Sequence, residues 1–363
     1  MPLGIARNSG PRNPVTLACD PVSGAAVAQA PRRPQIFGMS QIHRRSLIAA
    51  ALAAPALIAG GAARAQTADI AAQAAALDQL HSVIISQRGT ELLAQAFRGP
   101  GLDRAANIKS VSKTVVALLT GIAIDRGVIA GTDAAVFPLL DRAPAGDARD
   151  RLTVGHLLTM QTGLESTSGA NYGAWINSRN WVDYVLTRDL AGRPGGRFIY
   201  STGGWHVLGA VLAQASGQSL LSLARDWLGR PLGIDFAPWV RDPQGLYLGG
   251  NEMAVSPRGL IRLAEAVRKG GAGVIPSGWI SQSVQGRTRS PFSGDMYGYG
   301  FFITEFGGKP AWYGRGYGGQ MMVVVPDAGL SIAITSDPAS PARGDGHFGD
   351  LRRFLDQAVG ALA

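Results

Sequence analysis

A mixed α/β (α+β) fold is predicted: an antiparallel sheet flanked by N- and C-terminal helices, opened by an inserted all-helical domain. Three observations predict it. Strand-like segments occur near both ends of the chain, before about residue 98 and after about 296. The stretch between about 130 and 245 instead carries apolar residues at helical spacing, joined by long loops. The chain has 363 residues, 46% of them apolar, enough for a large core or for one domain inserted in another.

Residues 1–38 are rich in Pro and Arg without periodicity and precede a more natural start at Met39. Arg44 and Arg45 then lead into an apolar run over 47–59, which ends at a small-x-small site, Ala63-Arg64-Ala65. Thirteen residues are too few to span a bilayer, which needs about 20. The pattern is that of a removed export signal over 1–65, and the arginine pair points to the twin-arginine route. A periplasmic or secreted protein is expected. The leader changes the charge balance. The whole chain carries 34 basic and 25 acidic residues, a net of +9. Residues 1–65 hold seven arginines and one acid, Asp20, which leaves 27 against 24, a net of +3. Nothing then points to a nucleic-acid partner. The one cysteine, Cys19, falls in the leader, so the mature chain has neither a disulfide nor a thiol nucleophile.

The elements follow in order. Residues 67–80 have helical spacing. "HSVIISQRGTELLAQAFRG" alternates around Arg88-Gly89-Thr90, a hairpin signal. Residues 107–127 read as one apolar helix. "RLTVGHLLTMQTGL", "GGWHVLGAVLAQASG" (ending at Gly217) and 222–228 are further helices. "SPRGLIRLAEAVRKGG" opens with a serine cap and a proline and closes at Gly270-Gly271. Residues 297–304, "MMVVVPDAG" and "LSIAITS" read as consecutive antiparallel strands, with a turn at 327–329, and "DLRRFLDQAVGALA" closes the chain as an amphipathic helix. The expected division is a sheet-and-helix domain from 66–106 plus 246–363, and a helical domain from 107–245.

Chemistry concentrates in "NIKSVSKTVVALLTGIAIDRG". Residues three apart share a helix face, so Ser110 and Lys113 are neighbours. The helix after them is apolar on every side and should be buried. A desolvated ammonium has a lowered pKa, and a neutral amine beside a hydroxyl can take its proton. The helix start also offers the Ser110 N–H to a developing oxyanion. Spacing alone equally fits a capping serine with a lysine reaching for solvent; context decides.

That segment, followed by "RLTVGHLLTMQTGL", resembles the serine β-lactamase and penicillin-binding-protein-like hydrolases, and within them the branch of β-lactamase-like esterases, D-aminopeptidases and 6-aminohexanoate-dimer hydrolase. The resemblance runs from about Ser82 to the C-terminal helix. It implies acyl-serine chemistry between a sheet domain and a helical domain. It places the family's tyrosine at Tyr200, in "GGRFIYSTGGWHVLG", where a nearby ammonium would bias it toward phenolate for proton relay. Thr202 stands where the family usually has an asparagine. The inner-strand motif corresponds to "WYGRGYGGQMMVVVPDAG", and the resemblance implies that the Tyr317 N–H is the second oxyanion donor. In that register the family's lysine and threonine fall on Gly314 and Arg315, which argues against efficient β-lactam turnover. Gly316 would let substrate lie against the strand.

The Gly-x-Gly-x-x-Gly match at Gly314, Gly316 and Gly319 is no dinucleotide fingerprint, because it leads into a strand and not a helix. The five histidines lack metal-binding spacing, so neither metal nor cofactor is expected, and His156 reads as structural. No Gly-x-Ser-x-Gly elbow occurs. Tyr172, Trp175 and Trp181 either floor the substrate pocket or pack under their own loop. The expected function is an exported, metal-independent serine hydrolase acting on a small ester or amide through Ser110, Lys113 and Tyr200. Two rivals remain: a β-lactamase or DD-peptidase, and a catalytically idle relative that binds cell-wall peptide.

Overall fold

The computed structural model describes residues 64–363. The arginine pair and apolar run of the expected export signal lie outside the described residues. Residues 64–75 are helical and bury Ile70 and Ala74. The strands are β1 (Leu80–Gln87), β2 (Thr90–Ala96), β3 (Ala106–Asn107), β4 (Phe236–Ala237), β5 (Ala254–Val255), β6 (Thr288–Arg289), β7 (Met296–Tyr297), β8 (Phe302–Phe306), β9 (Lys309–Gly316), β10 (Gln320–Val325) and β11 (Leu330–Ser336).

Eight of them form one sheet in the order β2-β1-β11-β10-β9-β8-β7-β6, and every pairing for which a register is defined is antiparallel. The β1–β2 hairpin turns at Arg88 and Gly89, both with positive φ (50° and 90°), the backbone of a tight two-residue hairpin loop. All residues of β10 and β11 are buried, which requires cover on both faces. By register, Arg315, Met321 and Ile334 share one face, while Gly314, Met322 and Ala333 share the other. The first face meets the His347–Leu362 helix, where Phe348 lies against Arg315. The second meets the Ser112–Asp125 helix, since a side chain on Gly314 would run into Thr114 and Val111. The Pro257–Arg268 helix covers β1, β10 and β11. It is capped by Ser256, whose hydroxyl accepts from Gly259 N, with Pro257 in its first turn.

The region between the strands is helical. Its longest helix, Thr202–Ser216, is capped by Ser201 and stopped by Gly217 in the left-handed conformation. One apolar cluster runs through the helices and the sheet alike.

Four element boundaries differ from those the sequence pattern predicts. The helix expected from 107 begins at Ser112. Asn107 instead pairs with Ala254 in a small sheet, β3-β5-β4, and Lys109–Val111 is a single 3-10 turn. The Asn107 side chain accepts from Lys109 N (2.9 Å), and Lys109 has φ 48°, so the chain turns sharply before it becomes helical. The strand expected over 297–304 is broken between β7 and β8. Gly300 (φ 76°) lies there against the Ser112–Asp125 helix, and a Cβ would come 2.6 Å from Ala117 Cβ. "RLTVGHLL" yields a short helix, Val154–Leu158, and 222–228 is divided between Leu220–Leu223 and a wide π-type turn.

Candidate active site

Ser110 occupies the 3-10 turn at the entrance of the Ser112–Asp125 helix. Lys113, one turn on, is only 3% exposed, surrounded by the apolar face that runs from Val115 to Ala123. Its Nζ donates to Ser110 Oγ at 2.8 Å and to the Gly250 carbonyl at 2.6 Å, with Thr202 Oγ1 at 3.4 Å. Burial pushes the Lys113 amine below the ordinary lysine value, and Tyr200 partly opposes that shift.

Tyr200 ends the extended segment before the Ser201-capped helix. Its ring centroid is 4.9 Å from Lys113 Nζ. Burial by itself would raise the phenol. The Lys113 charge, hydrogen bonds to the Ser110 and Lys113 side chains, and Arg315 outweigh it, so the hydroxyl titrates below the ordinary tyrosine value. Thr202 continues the chain of hydroxyls. Its Oγ1 is 2.9 Å from Ser168 Oγ, and its N–H donates to the same oxygen at 2.8 Å.

β9 passes over the Ser110 turn. A Cβ on Gly316 would lie 2.6 Å from Ile108 O, 2.8 Å from Lys109 Cβ and 2.9 Å from Ser110 N, so only glycine fits. Tyr317 follows directly, in a 3-10 turn with Gly318 and Gly319, both at positive φ. Gln320 holds this turn. Its Nε2 donates to Ser336 O at 2.8 Å and to Tyr317 O at 3.4 Å, while its Oε1 accepts from Ser336 N at 3.0 Å. The Ser336 hydroxyl in turn donates to Gly319 O at 3.2 Å and lies 3.0 Å from His347 Nε2. Backbone N–H groups of Ser110 and Tyr317 thus belong to two elements brought together by a missing side chain.

These groups open onto a cleft of about 590 Å³. One wall carries an ion pair, Lys109 Nζ to Glu252 Oε1 at 2.9 Å, with Asn107 donating to the other carboxylate oxygen. Glu252 (φ 66°) and Lys109 (φ 48°) both hold the left-handed conformation, so backbone strain is concentrated beside Ser110. Asn251 Nδ2 donates to the Tyr172 hydroxyl at 3.3 Å. The rim is apolar and exposed: Phe292 is 77% accessible and Tyr317 53%.

Ser110, Lys113, Tyr200, Thr202, Arg315, Gly316, Tyr317 and Tyr172 therefore meet in one cleft. Arg315 lines it, but by strand alternation its guanidinium faces the C-terminal helix, 3.5 Å from the Phe348 ring centroid. Trp175 and Trp181 are not part of it. Both are buried, and each indole N–H is satisfied within the loop, Trp175 by Trp181 O (3.1 Å) and Trp181 by Ile176 O (3.0 Å). They pack on His206 and form core. His156 is structural, closing a capping box with Thr153. Among the described residues, no group of three or more His, Cys, Asp or Glu side chains is placed to hold a metal ion. No single described helix is long and apolar enough to cross a membrane. Lys109, Ser168, Gly250, Asn251, Glu252 and Phe292 escaped sequence reasoning. Only Lys109, beside the serine, carried a local signal.

Residues 74–352 match the family model described as Beta-lactamase. The D-alanyl-D-alanine-carboxypeptidase/endopeptidase AmpH of Escherichia coli K12 is 28% identical over 155 residues, 40% of this chain and 39% of that protein. The matched part is thus well under half of that relative. Among solved structures, EstCE1, a hydrolase with promiscuous acyltransferase activity, superposes with TM-score 0.69 at 19% identity, over 84% of this chain and 100% of that one. A penicillin-binding-protein homologue from Caulobacter crescentus gives 0.66 at 19% over 83% and 98%. A Bacillus anthracis protein assigned as a 6-aminohexanoate-dimer hydrolase gives 0.65 at 15% over 77% and 78%. At these identities the structural likeness is one of fold.

Proposed function

The chain belongs to the Beta-lactamase family, and on that premise we propose that it hydrolyses a small ester or amide through an acyl-enzyme on Ser110. The observation that carries this is the 2.8 Å contact between Ser110 Oγ and a lysine amine that is almost wholly buried. Neutral Lys113, with Tyr200 in the same hydrogen-bonded group, takes the hydroxyl proton as Oγ attacks the carbonyl carbon. The tetrahedral oxyanion is held by the N–H groups of Ser110 and Tyr317. Collapse expels the alcohol or amine, protonated through Tyr200, and a water deprotonated by the same pair then releases the acid and restores Ser110. Each of these steps is carried by a side chain or a backbone N–H of this chain.

An ester is the favoured substrate. Its leaving group departs without full protonation, and the inner strand offers Gly314 where a cation would hold a β-lactam carboxylate. A second reading, a β-lactamase or DD-peptidase, draws support from Arg315, which lines the cleft and has neither a hydrogen bond nor an ion pair among the described residues. The AmpH match is consistent with it. An idle, peptide-binding relative fits poorly with an intact Ser110–Lys113 contact and Tyr200 beside it.

A fluorophosphonate should add one covalent label, abolished by Ser110→Ala; labelling elsewhere with activity retained would overturn the mechanism. Against a panel of p-nitrophenyl esters, D-amino-acid amides, 6-aminohexanoate dimer and nitrocefin, kcat/KM for a short ester should exceed that for nitrocefin by at least about a hundredfold, the loss of two charge-assisted bonds. Equal turnover of nitrocefin would assign Arg315 as a carboxylate clamp and favour the second reading. We also propose export by the twin-arginine route with cleavage near Gln66. N-terminal sequencing of the periplasmic protein tests it, and a chain still carrying residues 39–60 would refute cleavage.

A further inference from the structure

Besides its contacts to the Ser110 and Thr202 hydroxyls, Lys113 Nζ is held by a single backbone carbonyl, that of Gly250. Gly250 belongs to a segment, 249–252, whose neighbours Asn251 and Glu252 line the cleft. This segment lies directly on the Thr202–Ser216 helix. A Cβ on Gly249 would come 2.5 Å from Trp205 O, and one on Gly250 would come 2.5 Å from Thr202 O. Contact that close sets the segment's depth, but a glycine pair has great freedom along the helix.

A buried pair supplies the remaining constraint. The side chains of His206, on that helix, and Asp242, in the loop before the segment, are both fully buried. His206 Nε2 lies 3.0 Å from Asp242 Oδ2, and the Asp242 Oδ1 accepts from Gln244 N (2.9 Å) and Leu246 N (2.8 Å). The other imidazole nitrogen, Nδ1, accepts from Gly249 N at 3.5 Å. A carboxylate only accepts, so Nε2 carries the proton and Nδ1 is left free to take the Gly249 N–H. Only that tautomer satisfies both contacts. The imidazole is walled in by Trp175 and Trp181, at 5.9 and 5.5 Å between ring centroids.

We infer that the His206–Asp242 pair is a positioning device for the base: by fixing its own tautomer it anchors Gly249, and so presents the Gly250 carbonyl to Lys113. This rests on the assignment of Lys113 as the base. The pair touches no reacting atom; it acts through the backbone of 249–250. A carbonyl that accepts from the amine favours the charged form. Loss of that contact lowers the Lys113 pKa further and loosens the nitrogen that must sit against Ser110 Oγ. Tyr200 is the other titratable group facing Lys113, with Arg315 acting on Tyr200, and none of these is altered by substitution at Asp242.

Asp242→Asn is the decisive variant because it is isosteric. An amide nitrogen facing the imidazole donates to Nε2, which moves the ring proton to Nδ1 and turns Nδ1 from acceptor to donor against the Gly249 N–H. For the folded variant, the acid limb of kcat/KM against pH should move to lower pH by about one unit, and the plateau should fall about tenfold. KM for the ester should stay unchanged. A folded variant with the wild-type limb overturns the inference, whether its plateau is retained or lowered, since a merely structural role would not move the limb. Should Asp242→Asn not fold, 15N NMR of the wild-type imidazole decides: the Nε2–H tautomer supports the device, and an Nδ1–H or doubly protonated ring overturns it. Lys113→Ala separates the two levels. If it keeps fluorophosphonate labelling, the base assignment fails. If it loses labelling while Asp242→Asn changes nothing, only the positioning device fails.

Discussion

The two walls of the cleft are built on opposite principles. The helical wall works through side chains that are costly to bury: Lys113 and Thr202 are buried and hydrogen-bonded to named neighbours, and Tyr200 is half-buried with its ring beside Lys113. The sheet wall works through side chains that are not there. Gly314 and Gly316 let β9 rest on Thr114 and on the Ser110 turn, and Gly318 and Gly319 let the Tyr317 turn fold back. One wall supplies reactivity through desolvation; the other supplies donors through close approach. Damage to the first should appear in chemistry and in alkaline stability, and damage to the second in geometry.

The largest expected effect tests the first wall. Lys113→Met should lower kcat/KM by about two orders of magnitude or more, the scale of lost acid–base catalysis. It should also raise Tm by a few degrees, because it removes a buried amine whose desolvation is costly. The two shifts here have one sign. Lys113 and Tyr200 both titrate lower folded than unfolded, so between their lowered values and the ordinary 10.5 and 10.0 the unfolded chain binds more protons. Stability of the native enzyme should therefore rise with pH through that alkaline window. Thermal melts across it should show the rise in the parent and a weaker one in the variant; a parallel rise in both breaks the account of desolvation.

Next comes the second wall. Gly316→Ala should cut kcat/KM by about a hundredfold, the effect of an approximately 1 Å misplacement. The pH of the acid limb should not move, since Lys113 keeps its surroundings. A wild-type rate would show that Tyr317 is not an oxyanion donor. A smaller change separates core from cleft. Trp181→Ala should cost about 3–5 kcal/mol of stability, as expected for a buried tryptophan, while KM at low temperature stays near the parent value. Denaturant titration and kinetics on one preparation check both. The smallest effect belongs to the rim. Phe292→Ala should leave Tm unchanged and raise KM for a long-chain ester by roughly three- to tenfold, the worth of one partly buried apolar contact. An equal change for acetate and octanoate esters would remove Phe292 from acyl recognition.

How far this contrast was legible in the sequence follows from the same principles. Ser110 and Lys113 are three residues apart, so one turn of either helix type makes them neighbours, although Ser110 lies in the 3-10 turn just before the helix, and Tyr200 stands just before a serine-capped helix. The glycines of the sheet wall were legible as a run leading into a strand. The Trp175 and Trp181 loop was not, because an aromatic side chain signals buried area and says nothing of which cavity borders it. Gly250, Asn251 and Glu252 were beyond reach for another reason. Their partners Lys113, Tyr172 and Lys109 are 137, 79 and 143 residues away, and no local pattern encodes such a meeting. The late start of the nucleophile helix has the same origin, since the pairing of Asn107 with Ala254 overrides helical propensity.

The small sheet β3-β5-β4 also has a consequence for the order of folding. It joins segments 106–107, 236–237 and 254–255, and the adjoining chain is tied by Ile108 N to Met253 O (2.9 Å) and Met253 N to Ser112 Oγ (3.1 Å). The turn that carries Ser110 is therefore held by residues made some 140 positions later, and Tyr317, the proposed second oxyanion donor, comes later still, after Gly316. Contacts of such long sequence separation close late, after the local helices. On the proposed mechanism, a nascent or truncated chain that ends before β9 presents Ser110 without the Tyr317 N–H, and the serine should become reactive only when the last strands dock.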